Sequence, residues 1–317
     1  MAIDFAAKPP KDGERADQYV MRLTGGGLSR GQVHAALAEG RILLRGRRLA
    51  KGDKLRPDDA EGLTDCGLSD WAECGREGAV PNSDVPLSIV YEDEALVGVN
   101  KLAGMAVQPI RPDERETLVN GLLARFPEMR GLGGDALCPA VVHRIDIETS
   151  GLVLAARTGA AWRALRQEFR LFQVRKTYLA VVEGCAEAGR SDVPLTHASR
   201  TPCRMRLARP EEVAGRTDCR VFAASTSWRP LRYDEALNQT LLEVEIRTGV
   251  THQIRCHLAS AGHPIVGDGI YGHSAPEGAA VNRRGQLLHS WKARLQHPLT
   301  GRWIEIVAPP EEACFKV

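Results

Sequence analysis

Short apolar runs broken by polar turns make up most of this chain, and helical spacing surfaces in only a few stretches. Residues 15–23 carry apolar positions at helical spacing, and Gly25-Gly26-Gly27 ends them. Ser29-Arg30-Gly31-Gln32 has the form of a capping box, so a second helix is predicted from Ser29 to the stop at Gly40. Ile42-Leu43-Leu44, Arg48-Leu49-Ala50 and residues 51–55 read as short strands joined by tight turns. Residues 64–86 lose periodicity and gather Gly, Pro, Asn, Asp and Ser, the composition of a linker, with Trp71 inside it. Strands resume at residues 87–91 and 95–100, with a helix over 117–125. Further on, a helix covers 160–170, a long strand 174–184, an alternating half-buried strand 241–248, and a helix runs from Thr251 to Gly262 with Pro264 beyond. Residues 186–236 are rich in Arg and Pro without a clear period and read as loops and short strands.

One stretch stands out against this pattern. Ala140-Val141-Val142 leads in and Leu152-Val153-Leu154-Ala155-Ala156 leads out, both read as buried strands. Between them lie His143, Arg144, Asp146, Glu148, Thr149 and Ser150. A polar cluster pinned between buried strands is where a rigid scaffold holds reactive groups. The same pattern also suits a charged, solvated turn.

Composition narrows the classes. The 317 residues suffice for two domains, and 43% hydrophobic residues support a sizeable core. No apolar run approaches the roughly 18 residues of a bilayer span. Residues 1–14, polar and Pro-containing, are expected to be a disordered tail without the form of a signal peptide, which points to the cytoplasm. Eight scattered cysteines, none spaced Cys-x-x-Cys, read as reduced thiols, although Cys66 and Cys74 in the linker are also conceivable metal ligands. His252 and His257, five apart, fall on different helix faces and make a poor zinc pair. Gly131-Leu132-Gly133-Gly134-Asp135-Ala136 matches the letters of a dinucleotide fingerprint, but no strand precedes it and Pro139 blocks the helix that should follow.

Net charge is +2, yet its distribution is uneven. Residues 15–58 hold ten basic and four acidic residues, a difference of +6. Arg15, Arg30, Arg41, Arg45, Arg47, Arg48 and Lys51 are candidate phosphate contacts there; a solvated arginine-rich face is the alternative.

Residues 143–151, His-Arg-Ile-Asp-Ile-Glu-Thr-Ser-Gly, resemble the active-site motif His-Arg-Leu-Asp-x-x-Thr-Ser-Gly of the RluA family of pseudouridine synthases. Asn100-Lys101-Leu102-Ala103-Gly104 is similar to the family's Asn-Lys-Pro-Ala-Gly. Residues 176–184 resemble its Lys-x-Tyr-x-x-x-Val-x-Gly. Residues 248–258 resemble Thr-Gly-Arg-Thr-His-Gln-Ile-Arg-x-His-Leu, with Val250 for arginine. The match continues through residues 263–268 to Leu288-His289, His297-Pro298 and Ala308-Pro309. Residues 15–63 resemble the αL RNA-binding motif of a ribosomal protein, with Leu44-Arg45-Gly46 where Val-Asn-Gly is usual.

The resemblance implies an α+β protein: a small α/β RNA-binding domain over 15–63, a linker over 64–86, and a mixed, largely antiparallel catalytic domain over 87–317. It implies Asp146 as the catalytic carboxylate, Arg255 as the cation that keeps it ionised, Tyr178 against the uracil face, and Arg144 in the space left by a flipped base. Uridine isomerisation involves no net oxidation or hydrolysis, so no cofactor or metal is expected. The implied partner is RNA, most readily large-subunit ribosomal RNA, bound by a monomer; transfer RNA is the alternative. Two further readings are a non-catalytic RNA-binding assembly factor and a metal-dependent nuclease. The second would need more clustered carboxylates than Asp146 and Glu148.

Overall fold

The computed structural model describes residues 4–25, 28, 30–68, 78–200, 203–215, 217, 219–272, 285–311 and 315. The chain forms two units, one from Met1–Val85 with Gln108–Pro139, the other from Pro86–Val107 with Ala140–Val317. The α+β class and the mixed, largely antiparallel sheet are those the sequence implied.

In the first unit, helices Ala16–Leu23 and Arg30–Glu39 turn Tyr19, Val20, Val33 and Leu37 into a core. Strand Ile42–Leu44 pairs with Arg47–Arg48 and with Leu63–Asp65, adding Ile42, Leu49 and Leu55 to that core. The hairpin turns at Arg45 and Gly46, both left-handed at φ 51° and 78°, the pair of positive φ values a tight two-residue turn requires. Ser29, the expected cap, lies outside the described residues, as do Trp71 and Cys74.

Two expectations fail here. The N-terminal segment is not loose: Phe5 is buried in the core, Tyr19 Oη donates to the Lys8 carbonyl at 3.1 Å, and Glu14 pairs with Arg22 at 2.6 Å. One aromatic anchor and an ion pair fasten a segment whose composition looks polar. Nor are residues 64–86 all linker. Leu63–Asp65 is a strand and Leu68 is core, while Ala79 N donates to Ala136 O at 2.8 Å and Asn120 Nδ2 to Val80 O at 2.7 Å. Helix Leu118–Arg125 belongs to this unit.

The second unit is built on a nine-stranded sheet. Its order is Gly189–Ser191, Thr226–Asp234, Gln239–Ile246, Arg175–Glu183, Leu288–Gln296, Ser150–Ala156, Leu96–Lys101 and Ile89–Glu92; Trp303–Val307 adds to Leu288–Gln296. Every pairing is antiparallel except Ser150–Ala156 with Leu288–Gln296. Arg175–Glu183 is central, which explains why its sequence shows no alternation: both faces are covered. Gln239–Ile246 alternates buried and half-buried positions as its sequence does. Helix Gly159–Arg170 packs on the sheet through Ala161 and Leu165, with Thr158 Oγ1 capping its start.

The apolar run at 140–142 is not a strand. Ala140 is left-handed at φ 67°, and the run makes only an isolated bridge, Val141 to Ala155. Conversely, Thr226–Asp234 is a nine-residue strand inside the stretch expected to be irregular. Its outer half is exposed, so no apolar alternation marked it. The helix expected from Thr251 starts at Gln253, because His252 has φ 54° and cannot be helical.

Candidate active site

The loop 143–149 is anchored on both sides before it can present anything. His143 Nε2 accepts the Leu154 N–H at 3.0 Å and its ring stacks on Phe169 at 4.9 Å. Burial, reinforced by the Lys176 charge, takes its pKa down to about 3, so it is a neutral structural histidine. Ile145 packs against the core cluster that holds Tyr178. Thr149 N closes the turn on the Asp146 carbonyl at 3.1 Å, and Thr149 Oγ1 accepts from Gln286 at 2.6 Å. His289 Nε2 lies 2.9 Å from the Ala308 carbonyl and donates to it, so its Nδ1 accepts the Ser150 hydroxyl at 2.8 Å. Gly151 is left-handed at φ 106°, and a Cβ there would collide with the Ser290 backbone; no other residue suits this position.

Between these anchors the loop sets Asp146 against Arg255. Arg255 Nη1 donates to Asp146 Oδ2 at 2.8 Å. The same guanidinium gives Nε and Nη2 to the two oxygens of Asp268 at 2.7 and 2.8 Å, a bidentate pair. Asp268 in turn accepts the Ile270 and Tyr271 N–H groups at 2.9 and 3.1 Å. Burial alone would depress the Arg255 guanidinium, but Asp268 and then Asp146 outweigh it and hold it above its ordinary value. Burial would likewise raise Asp268, and Arg255 reverses that. The Arg255 side chain is 5% exposed and that of Asp146 26%: a sheltered cation supports a carboxylate open to solvent.

Tyr178 sits on the central strand, buried in the same unit and close enough to Asp146 to feel its charge. Burial pushes its phenol up to about 12, so it is protonated at neutral pH. Arg144 is exposed on the loop beside Asp146.

Several residues of this site gave no sign of a role in the sequence. Lys101 is 1% exposed and its ammonium donates to the carbonyls of Leu102, Met105 and Ile147 at 2.8, 2.8 and 3.0 Å. Burial takes it down to about 8, with Asp146 pulling the other way. It ties the residue after Asp146 to the segment 102–105; its only signal was its place in the Asn-Lys motif. Asp268 was visible only as one letter of a matched stretch. His252, whose Nε2 lies 4.0 Å from Asp146 Oδ2, was weighed only as a zinc ligand. His257 is a core histidine bonded to Thr226 and Val193.

In the first unit the basic residues differ among themselves. Arg15, Arg41, Arg45 and Arg47 pair with Asp17, Glu39, Asp59 and Asp53 at 2.9 to 3.3 Å. Arg30, Arg48 and Lys51 are exposed and make no ion pair among the described residues.

A family model for RNA pseudouridylate synthase matches residues 95–260. A Chloroflexus aurantiacus protein named an uncharacterized RNA pseudouridine synthase is 36% identical over 311 residues, covering 95% of this chain and 88% of its own. A Zymomonas mobilis protein named ribosomal large subunit pseudouridine synthase D is 36% identical over 236 residues, 71% of this chain and 69% of its own. Among solved structures, human RNA pseudouridylate synthase domain containing 1 superposes with a TM-score of 0.55 at 26% identity, covering 74% of this chain and 90% of that one.

Proposed function

The chain belongs to the RNA pseudouridylate synthase family and is an RNA pseudouridine synthase, and on that premise we propose that it isomerises particular uridines of large-subunit ribosomal RNA, with Asp146, Tyr178 and Arg255 as its reacting set. In the reaction the bond from C1′ to N1 breaks, the uracil turns over, and C1′ bonds to C5. The proton leaves C5 and N1 gains one, so atoms and electrons balance without a cofactor.

The observation that carries the assignment is the Asp268–Arg255–Asp146 chain. A carboxylate near an anomeric carbon can stabilise the electron-deficient sugar, attack it, or abstract a neighbouring proton, and each role needs the ionised form. Arg255 donates to Asp146 Oδ2, and Asp268 keeps Arg255 from turning away. Tyr178, a phenol at about 12, suits stacking on the base and relaying a proton better than serving as a free phenolate. Arg144, exposed two residues before Asp146, would occupy the gap left when the target base leaves its stack.

The large-subunit substrate is supported by the names of relatives such as the Zymomonas protein and by the basic N-terminal unit. The proposed substrate also assigns the protein to the cytoplasm. Pseudouridine mapping of total RNA from a strain lacking the gene tests the reading. Discrete sites should vanish from large-subunit ribosomal RNA while transfer RNA is unchanged. Loss confined to transfer RNA would overturn the substrate.

A further inference from the structure

His252 stands next to Asp146 in a conformation that demands a reason. Its backbone is left-handed at φ 54°, which costs a non-glycine residue energy and persists only where the surroundings enforce it. The enforcement is visible. Gln253, the next residue, accepts from Thr248 Oγ1 and Val250 N at 2.9 and 3.1 Å and donates to Ser225 O and Thr226 Oγ1 at 2.9 and 3.0 Å.

The ring is fixed as firmly. Tyr271 Oη accepts the Met205 N–H at 2.7 Å and has its own proton to give to His252 Nδ1, 3.2 Å away. The two rings meet edge to face at 5.7 Å. With Nδ1 as the acceptor of that proton, Nε2 carries the hydrogen. Burial holds the imidazole below its ordinary pKa, with the Asp146 charge opposing, so it is neutral at pH 7. Its side chain is 11% exposed and Nε2 lies 4.0 Å from Asp146 Oδ2.

That separation is too long for a hydrogen bond and short enough for one oxygen to reach both groups. An oxygen of the RNA placed there must accept from Nε2–H and donate to the carboxylate, so it must be a hydroxyl. Uracil carbonyls and phosphate oxygens only accept, and the uracil N3–H only donates. Inside an RNA chain the 3′ and 5′ oxygens are esterified, leaving the 2′-hydroxyl, which neighbours the anomeric carbon. We infer that His252 reads the ribose: its Nε2–H and the Asp146 carboxylate together hold the 2′-hydroxyl of the target nucleotide. This rests on the reading of Asp146 given above. It makes the site itself discriminate RNA from DNA, independently of the basic unit.

The test uses the full-length protein and a synthetic RNA stem-loop spanning a mapped uridine, with either ribose or 2′-deoxyribose at that nucleotide. Release of the C5 hydrogen gives kcat/KM. The wild type should prefer ribose by about tenfold or more, the value of one hydrogen-bonded hydroxyl. His252→Asn tolerates the left-handed backbone but is too short to reach. It should lose about tenfold on ribose, with its ribose preference shrinking several-fold. His252→Gln, whose amide nitrogen extends toward the Nε2 position, should retain most of the preference. A merely structural role would lower both rates alike, and an unchanged preference in His252→Asn would overturn the inference. Failure of the wild type on the ribose stem-loop would instead overturn the reading of Asp146, and the assignment of His252 with it.

Discussion

Arg255 serves two carboxylates unequally: Asp268 takes two of its nitrogens and Asp146 takes one. Asp268 is enclosed while Asp146 reaches solvent. The first fixes the cation, and the second uses the donor that remains.

Asp146→Asn keeps the shape and removes the charge. Isomerisation should fall by at least about 1,000-fold, while RNA affinity and thermal stability stay near wild type. C5-hydrogen release and binding isotherms on the same preparation check this; full activity in a sequence-verified variant would end the assignment.

Asp268→Asn should cost about 3 kcal/mol of stability, because it leaves a buried guanidinium half-compensated. The pH dependence follows from the sign of the shift. Folded Asp268 releases its proton below its ordinary 3.8, so its contribution is complete above that pH and fades as pH falls through the folded value. Urea denaturation between pH 7 and pH 3 should show the wild type losing its advantage over the variant only at the acid end.

Tyr178→Phe retains the ring and loses the hydroxyl. We expect kcat to drop roughly 100-fold with KM within about twofold of wild type. Equal loss in both would make Tyr178 a packing residue of the central strand.

The basic unit offers an internal contrast. Replacing Arg30, Arg48 and Lys51 together by glutamine should flatten the slope of log affinity against log salt, by up to about 0.7 to 0.9 for each phosphate no longer neutralised. Replacing Arg47 alone, whose charge Asp53 balances at 2.9 Å, should change the slope less. Identical slopes for all three proteins would mean that this face is only solvated.

Arg45→Asn should stabilise the first unit by about 0.5 to 1 kcal/mol. Arginine is forced to φ 51° there, and asparagine occupies that region at lower cost. The ion pair with Asp59 that the change removes, 70% exposed on the arginine side, is worth little. A lower urea midpoint would show that the pair outweighs the turn.

What the sequence made legible was what is local. The loop 143–151 gathers its candidate chemistry in nine consecutive residues, and Asp146 was singled out there by the motif it resembles. Arg175–Glu183 and Gln239–Ile246 announced themselves because their side chains fill two faces or alternate between them. What stayed hidden depends on distant chain meeting by geometry. Nothing in the spacing of Arg255 and Asp268 says that they pair through two bonds. Nothing in the sequence around Ala140 says that one left-handed residue denies that run a strand. Phe5 was lost in a polar average, although its buried ring helps to fasten its segment. The exposed half of Thr226–Asp234 owes its form to backbone pairing with Gln239–Ile246, which leaves no imprint on side-chain polarity.

Lys101 leaves a different mark. Its ammonium stands among three carbonyls much as a bound potassium ion would, but it is tethered to the chain and cannot be exchanged or diluted. The loop bearing Asp146 therefore carries its own tethered cation, which no electrolyte can exchange, although burial brings it within reach of mild alkali at about 8. The proposed capture of RNA by exposed arginines and lysines would instead weaken as salt rises.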